Sequence, residues 1–137
     1  MKAESNIRPS SFEIENVSKE RCDVVLNTNI EEIEEEENVK YLYDTYRLNI
    51  CYSENIEEEI RNNYDRYLNN AKNNEANELA TEIRKQRDAL LNETDWTQMI
   101  DSALDETKKE RYRIYRQALR DIPEQENFPY DVVWPTL

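Results

Sequence analysis

The sequence predicts an α+β protein: an N-terminal three-stranded antiparallel meander, then a long helix, a shorter C-terminal helix and an extended C-terminal tail. Two periodicities and one stop signal predict it. Apolar residues alternate at period two at the start of 12–17 and over 46–52, and the stretch 21–27 between them is apolar and β-branched, as on strands. From residue 56 to 122 they recur three or four positions apart, as on amphipathic helices. Pro123 then ends the last helical stripe ahead of an ending rich in proline and aromatic residues.

Residues 1–10 are polar, include Pro9 and read as a loose leader. The three strands are expected at 12–17 (FEIENV), 21–27 (RCDVVLN) and 39–52, where Tyr46, Leu48, Ile50 and Tyr52 share one side. The first turn is SKER at 18–21, and the second lies within 31–39, where four consecutive glutamates should repel one another in a paired strand. Ser53 or Asn55 can cap the long helix, expected over about 55–92, and its three early glutamates suit the positive end of the helix dipole. Its stripe of Ile56, Ile60, Tyr64, Leu68 and Ala71 weakens over 71–77, but no proline or glycine interrupts it, which favours one helix over two meeting near Asn73 and Asn74. Residues 92–101 read as a connection anchored in the core by Trp96. The last helix starts near Asp105, carries Tyr112, Tyr115, Leu119 and Ile122 on one face, and gives way to an extended tail at 128–137. The organisation expected is a strand-rich acidic region with its leader at 1–53 and a helical region at 54–137.

At 137 residues the chain suits one domain, and its formal net charge of −13 disfavours nucleic acid and anionic membranes as partners. The excess is uneven: residues 1–60 hold 16 acids against 6 bases, residues 61–137 hold 15 against 12, so recognition is sought in the second half. Signal-peptide and membrane-spanning segments are lacking, which predicts a cytosolic protein with Cys22 and Cys51 as small buried hydrophobes. Histidine and glycine are both absent, which excludes Ser-His triads, imidazole zinc sites and glycine-rich phosphate loops. The glutamate run lacks the Asp/Asn alternation and central glycine of an EF-hand loop and reads as a solvated hairpin tip. No catalytic residue, cofactor or metal is predicted, and the protein is read as a non-enzyme.

Two groups of side chains point either inward or to a partner. Arg113, Arg116 and Arg120 share a face of the last helix and need carboxylates, from Asp88, Glu93 and Asp95 or from another protein. Phe128, Tyr130 and Trp134 form the other group, as large aromatics that serve cores and interface hot spots alike.

RKQRDALLNETDW at 84–96 and YRQALRDIPEQENFPYDVVWP at 115–135 resemble the C-terminal module of the phage tail assembly chaperone family, also found in tail fibre assembly proteins. The likeness runs over about residues 80–137. It rests on Arg87, Asp88, Leu90, Leu91, Thr94, Asp95 and Trp96, then on Tyr115, Arg116, Leu119, Arg120, Asp121, Ile122, Pro123, Phe128, Pro129, Trp134 and Pro135. The spacer MIDSALDE at 99–106 departs from the pattern, lacking a proline before the last helix. The resemblance implies a chaperone that binds a phage tail fibre or receptor-binding subunit in the host cytoplasm and assists its folding and assembly. The alternative is a structural subunit kept in the tail, baseplate or fibre, or in a phage-tail-like particle. Tyr115, Arg116, Arg120, Phe128 and Trp134 are the partner-binding candidates it singles out.

Overall fold

Alternating side chains build a larger sheet than the apolar pattern announces. The computed structural model describes residues 1–35 and 38–137. Among these residues four strands form one antiparallel sheet in the order β1-β4-β3-β2, with β1 Lys2–Ser5, β2 Phe12–Glu15, β3 Arg21–Glu35 and β4 Asn38–Cys51. Three helices follow: α1 Ile56–Asn62, α2 Tyr64–Thr94 and α3 Glu106–Arg120. The chain divides into two compact units, Met1–Glu75 and Ala76–Leu137, and α2 begins in the first and ends in the second.

In the first unit Cys22, Val24 and Leu26 alternate inward along β3, joined by Leu48 of β4. Phe12 and Ile14 of the edge strand β2 pack against this row, which Ile56 and Ile60 of α1 and Tyr67, Leu68 and Ala71 of α2 cover. The fold class is therefore the α+β one expected, with a fourth strand. That strand, β1, comes from the stretch read as a loose leader. It has no apolar alternation to betray it, and ion pairs help fix its register against β4: Lys2 to Asp44 at 3.1 Å and Glu4 to Lys40 at 2.7 Å.

β3 also runs further than expected, through Glu31, Glu32 and Glu34. The repulsion argument assumed glutamate opposite glutamate, but these residues face Leu42, Tyr41 and Val39 across the ladder. The second turn, expected within 31–39, leaves residues 36 and 37, which lie outside the described residues. Cys51 is exposed rather than buried, while Cys22 is fully enclosed.

A chain without glycine meets its left-handed positions with asparagine. Asn16 and Asn29 have φ of 49° and 52°, and Asn29 lies where the β3-β4 register shifts. Each donates from its side-chain amide to an aspartate, Asn16 to Asp23 and Asn29 to Asp44, both at 2.8 Å. The bond from Asn29 leads in holding the Asp44 carboxyl below the usual carboxylate range; for Asp23 the bond from Asn49 leads and that from Asn16 follows.

The long helix expected from residue 55 is broken at Asn63. This residue closes α1, its backbone N–H reaching Glu59 O and Ile60 O and its side-chain amide reaching Glu59 O at 3.0 Å. Its own carbonyl then accepts from Arg66 and Tyr67 to start α2. Neither glycine nor proline is needed, because an asparagine amide competes for the backbone by itself. Over 71–77, where the stripe weakens, α2 is continuous.

The helical layer is tied to the sheet by Tyr64, whose phenol donates to the carbonyl of the buried Asn27 at 2.6 Å. Burial, followed by the nearby charge of Asp65, raises the Tyr64 pKa. A raised folded-state value favours the neutral phenol, so this contribution is complete below about pH 10 and is lost as pH rises through the folded value. Tyr64→Phe is expected to lower stability by about 1 kcal/mol near neutral pH. Urea denaturation of both proteins should show the difference shrinking above about pH 10.

Candidate partner-binding site

The second unit is organised by one buried cation. Arg116 of α3 lies almost fully inside, and its Nη1 donates to Leu91 O at 2.6 Å and to Thr94 Oγ1 at 2.7 Å. Its Nη2 donates to Asp95 Oδ1 at 2.6 Å. Leu91 is in the last turn of α2, where carbonyls have no partner within the helix, so the guanidinium caps α2 while fixing α3 against it. Thr94 sits at the centre: its hydroxyl lies within hydrogen-bonding reach of Leu90 O and Leu91 O and accepts from Arg116.

The connection after α2 is tighter than expected. Asp95–Gln98 forms a 3₁₀ turn that points Thr97, not Trp96, inward. Thr97 is fully buried, donates to Thr94 O at 2.6 Å and accepts from Gln98. Trp96, expected in the core, is 48% exposed and rests against Tyr112 with ring centroids 6.3 Å apart. α3 opens as expected at Asp105, whose carboxylate accepts from Lys108 N at 2.8 Å. It ends at Arg120, before a short 3₁₀ turn, Ile122–Glu124, that carries Pro123.

The tail expected to be extended instead passes through turns to about residue 130 and folds back on its own unit. Phe128, Val132 and Trp134 pack against Ile83, Leu119 and Ile122. The Gln125 side chain takes the place of a strand neighbour, donating to Val133 O at 2.9 Å and accepting from Val133 N at 2.8 Å. Arg84 of α2 lies over the Phe128 ring, 5.2 Å from its centre.

The five candidates thus fall in different environments. Arg116 is buried and bonded within the unit. Tyr115 and Phe128 are half-buried against the core. Trp134 is half-buried and lines a shallow hollow with Gln86, Ala89 and Leu90. Arg120 is exposed and has no ion pair among the described residues. Of the carboxylates considered, Asp95 meets Arg116, whereas Arg113 pairs with Glu110 and Asp88 with Arg87.

Several exposed groups escaped the sequence reading. Met99, fully exposed Ile100 and Ile114 join Trp96 as uncovered apolar side chains. Beside Tyr112 a hollow of about 220 Å³ is lined by Lys108, Arg111 and Leu137. The available signal was the Met-Ile pair at 99–100, which stands in a polar connection and belongs to no helical stripe. Among the described residues no cluster of His, Cys, Asp or Glu is arranged to hold a metal ion, and no helix is long and apolar enough to cross a membrane.

Residues 80–137 match the model of a family described as phage tail assembly chaperone protein. The likeness of the C-terminal module to the phage tail assembly chaperone family is thereby borne out. No curated protein and no solved structure matches the chain. The geometry explains the residues that carry the likeness: Thr94 and Asp95 of the first motif are the acceptors for Arg116 of the second.

Two arginines of α3, one buried and one exposed, make the clasp testable. Arg116→Lys keeps the charge, but an ammonium cannot span three fixed acceptors, so stability should fall by about 2 kcal/mol. Arg120→Lys, on the same helix but exposed, should stay within about 0.5 kcal/mol of wild type. Chemical denaturation of both variants reads the difference.

Proposed function

We infer that the protein is a non-enzymatic chaperone of phage tail assembly, which binds a fibre or receptor-binding subunit in the host cytoplasm while that subunit folds and assembles. The single observation that carries this reading is the set of large apolar side chains left uncovered within a few residues of one another in the module, Trp96, Met99 and Ile100, on a chain otherwise dominated by charge. Such a set suits reversible cover of an apolar subunit face, and the family match at residues 80–137 supports the choice of a tail protein as partner.

Among the candidate residues, Arg120 and the outer edge of Trp134 are proposed to touch the partner directly. Tyr115, Arg116 and Phe128 are proposed to act by holding the module in shape, since their side chains pack or bond inside it. The strongly acidic first unit is proposed to keep the complex soluble.

Coexpression tests the reading. A fibre or receptor-binding subunit of the same phage should accumulate as soluble trimer severalfold better with this protein than without it. Equal soluble trimer in both cultures overturns the chaperone assignment. Arg120→Glu should reduce capture of the subunit without changing the thermal midpoint, measured by affinity capture and circular dichroism.

A further inference from the structure

The sign of the charge changes locally along α3. Its fifteen residues carry six bases and two acids, on a chain whose net charge is −13. Some of these bases are answered: Arg116 by Asp95, Arg113 by Glu110 and, at 3.9 Å, Lys109 by Glu106. Lys108 has only the exposed Asp105 at 3.8 Å, a pair that contributes little in water. Arg111 is exposed and has no ion pair among the described residues. These two weakly answered cations line the same hollow, together with Tyr112 and the 56%-exposed Leu137.

Tyr112 belongs both to this hollow and to the ring contact with Trp96. Tyr112 therefore joins a surface of mixed character, the hollow with its aliphatic Leu137 and its two cations, to the neighbouring ring of Trp96. We propose that this surface takes a segment of a partner protein in which a bulky apolar side chain is flanked by carboxylates. The apolar side chain enters the hollow against Tyr112 and Leu137, beside Trp96, and the flanking carboxylates pair with Lys108 and Arg111, for which a guanidinium offers the bidentate geometry.

Charge selects this occupant over the others. An apolar segment with basic flanks meets the two cations and is repelled at contact. A nucleic acid could stack on Trp96 and pair with the cations, but its extended run of phosphates also meets the carboxylates of this unit, in which acids outnumber bases. A short acidic segment confines its charge to the rim, and the surrounding acids disfavour its binding elsewhere, which fixes its position. Identifying this partner as a tail subunit rests on the chaperone reading; the ligand chemistry does not.

The test uses the full chain and a capped synthetic hexapeptide with a Leu-Phe centre between pairs of glutamates. The two tryptophan indole N–H resonances report on the two ends of the module and can be assigned with Trp134→Phe. The Trp96 signal is expected to shift saturably with the peptide and the Trp134 signal to stay. A lysine-flanked peptide of the same centre should bind about tenfold more weakly or worse, as should the glutamate peptide to the exposed double variant Lys108→Glu/Arg111→Glu. No saturable shift, an equal response to the lysine peptide, tighter binding of oligothymidine, or self-association that covers Trp96 in sedimentation each overturns the proposal. Capture separates the two readings. A coexpressed tail subunit held equally by wild type and double variant removes the site and leaves the chaperone reading standing. Peptide binding as expected, with no tail subunit captured, leaves the site and removes the chaperone.

Discussion

The second unit depends on a guanidinium taken out of water. Arginine has five donors and no acceptor, and it stays charged at any pH the protein meets, so burying it requires acceptors already in place. Leu91 O, Thr94 Oγ1 and Asp95 Oδ1 supply them from three levels of one helix end. The carbonyl is an orphan of the last turn of α2, so a single side chain answers the helix terminus and positions α3. Leu119, one turn after Arg116, is thereby brought into the core that receives Ile122 and the returning tail. The clasp thus holds α3 in place, the turn at Pro123 follows it, and the chain beyond brings Phe128 and Trp134 back to the helices.

The first unit solves a different constraint. With no glycine to take left-handed backbone or to end a helix, asparagine does both, and each time its amide bonds a nearby group. Asn29 joins the register shift in β3 to Asp44 of β4, which also meets Lys2 of β1. One aspartate therefore links three strands of the sheet, and its carboxyl is held below the usual range by that company.

What was legible in the sequence is what repeats. The apolar strand over 21–27, the spacing of Tyr115, Leu119 and Ile122, and the start of α3 at Asp105 stand in the structure where the pattern put them. The misses share a cause: each depends on a polar partner distant in sequence or on a single backbone turn. β1 has no apolar signature, and its side chains become informative only beside Asp44 and Lys40. The break at Asn63 is made by one amide bond to Glu59. Thr97 takes the inward place expected of Trp96 because a 3₁₀ turn points the next residue inward, and size alone says nothing about such a turn. The candidate site was legible in its region but not in its atoms, since a buried arginine and an exposed one read alike in a stripe.

That last distinction bears on how the family pattern and recognition divide the module. The motif residues Leu90, Leu91, Thr94, Tyr115, Arg116, Leu119, Ile122, Phe128 and Trp134 bond or pack within the unit, so most of the pattern specifies a shape. Met99 and Ile100 come from the spacer that departs from the pattern, and Lys108 and Arg111 from the first half of α3, before the second motif begins. Trp96 stands at the junction, a motif residue whose ring faces outward onto Tyr112. A module built this way can hold its frame through one set of residues and present contacts through another, because Met99, Ile100, Lys108 and Arg111 take no part in the Arg116 clasp or in the core on which Phe128 and Trp134 pack.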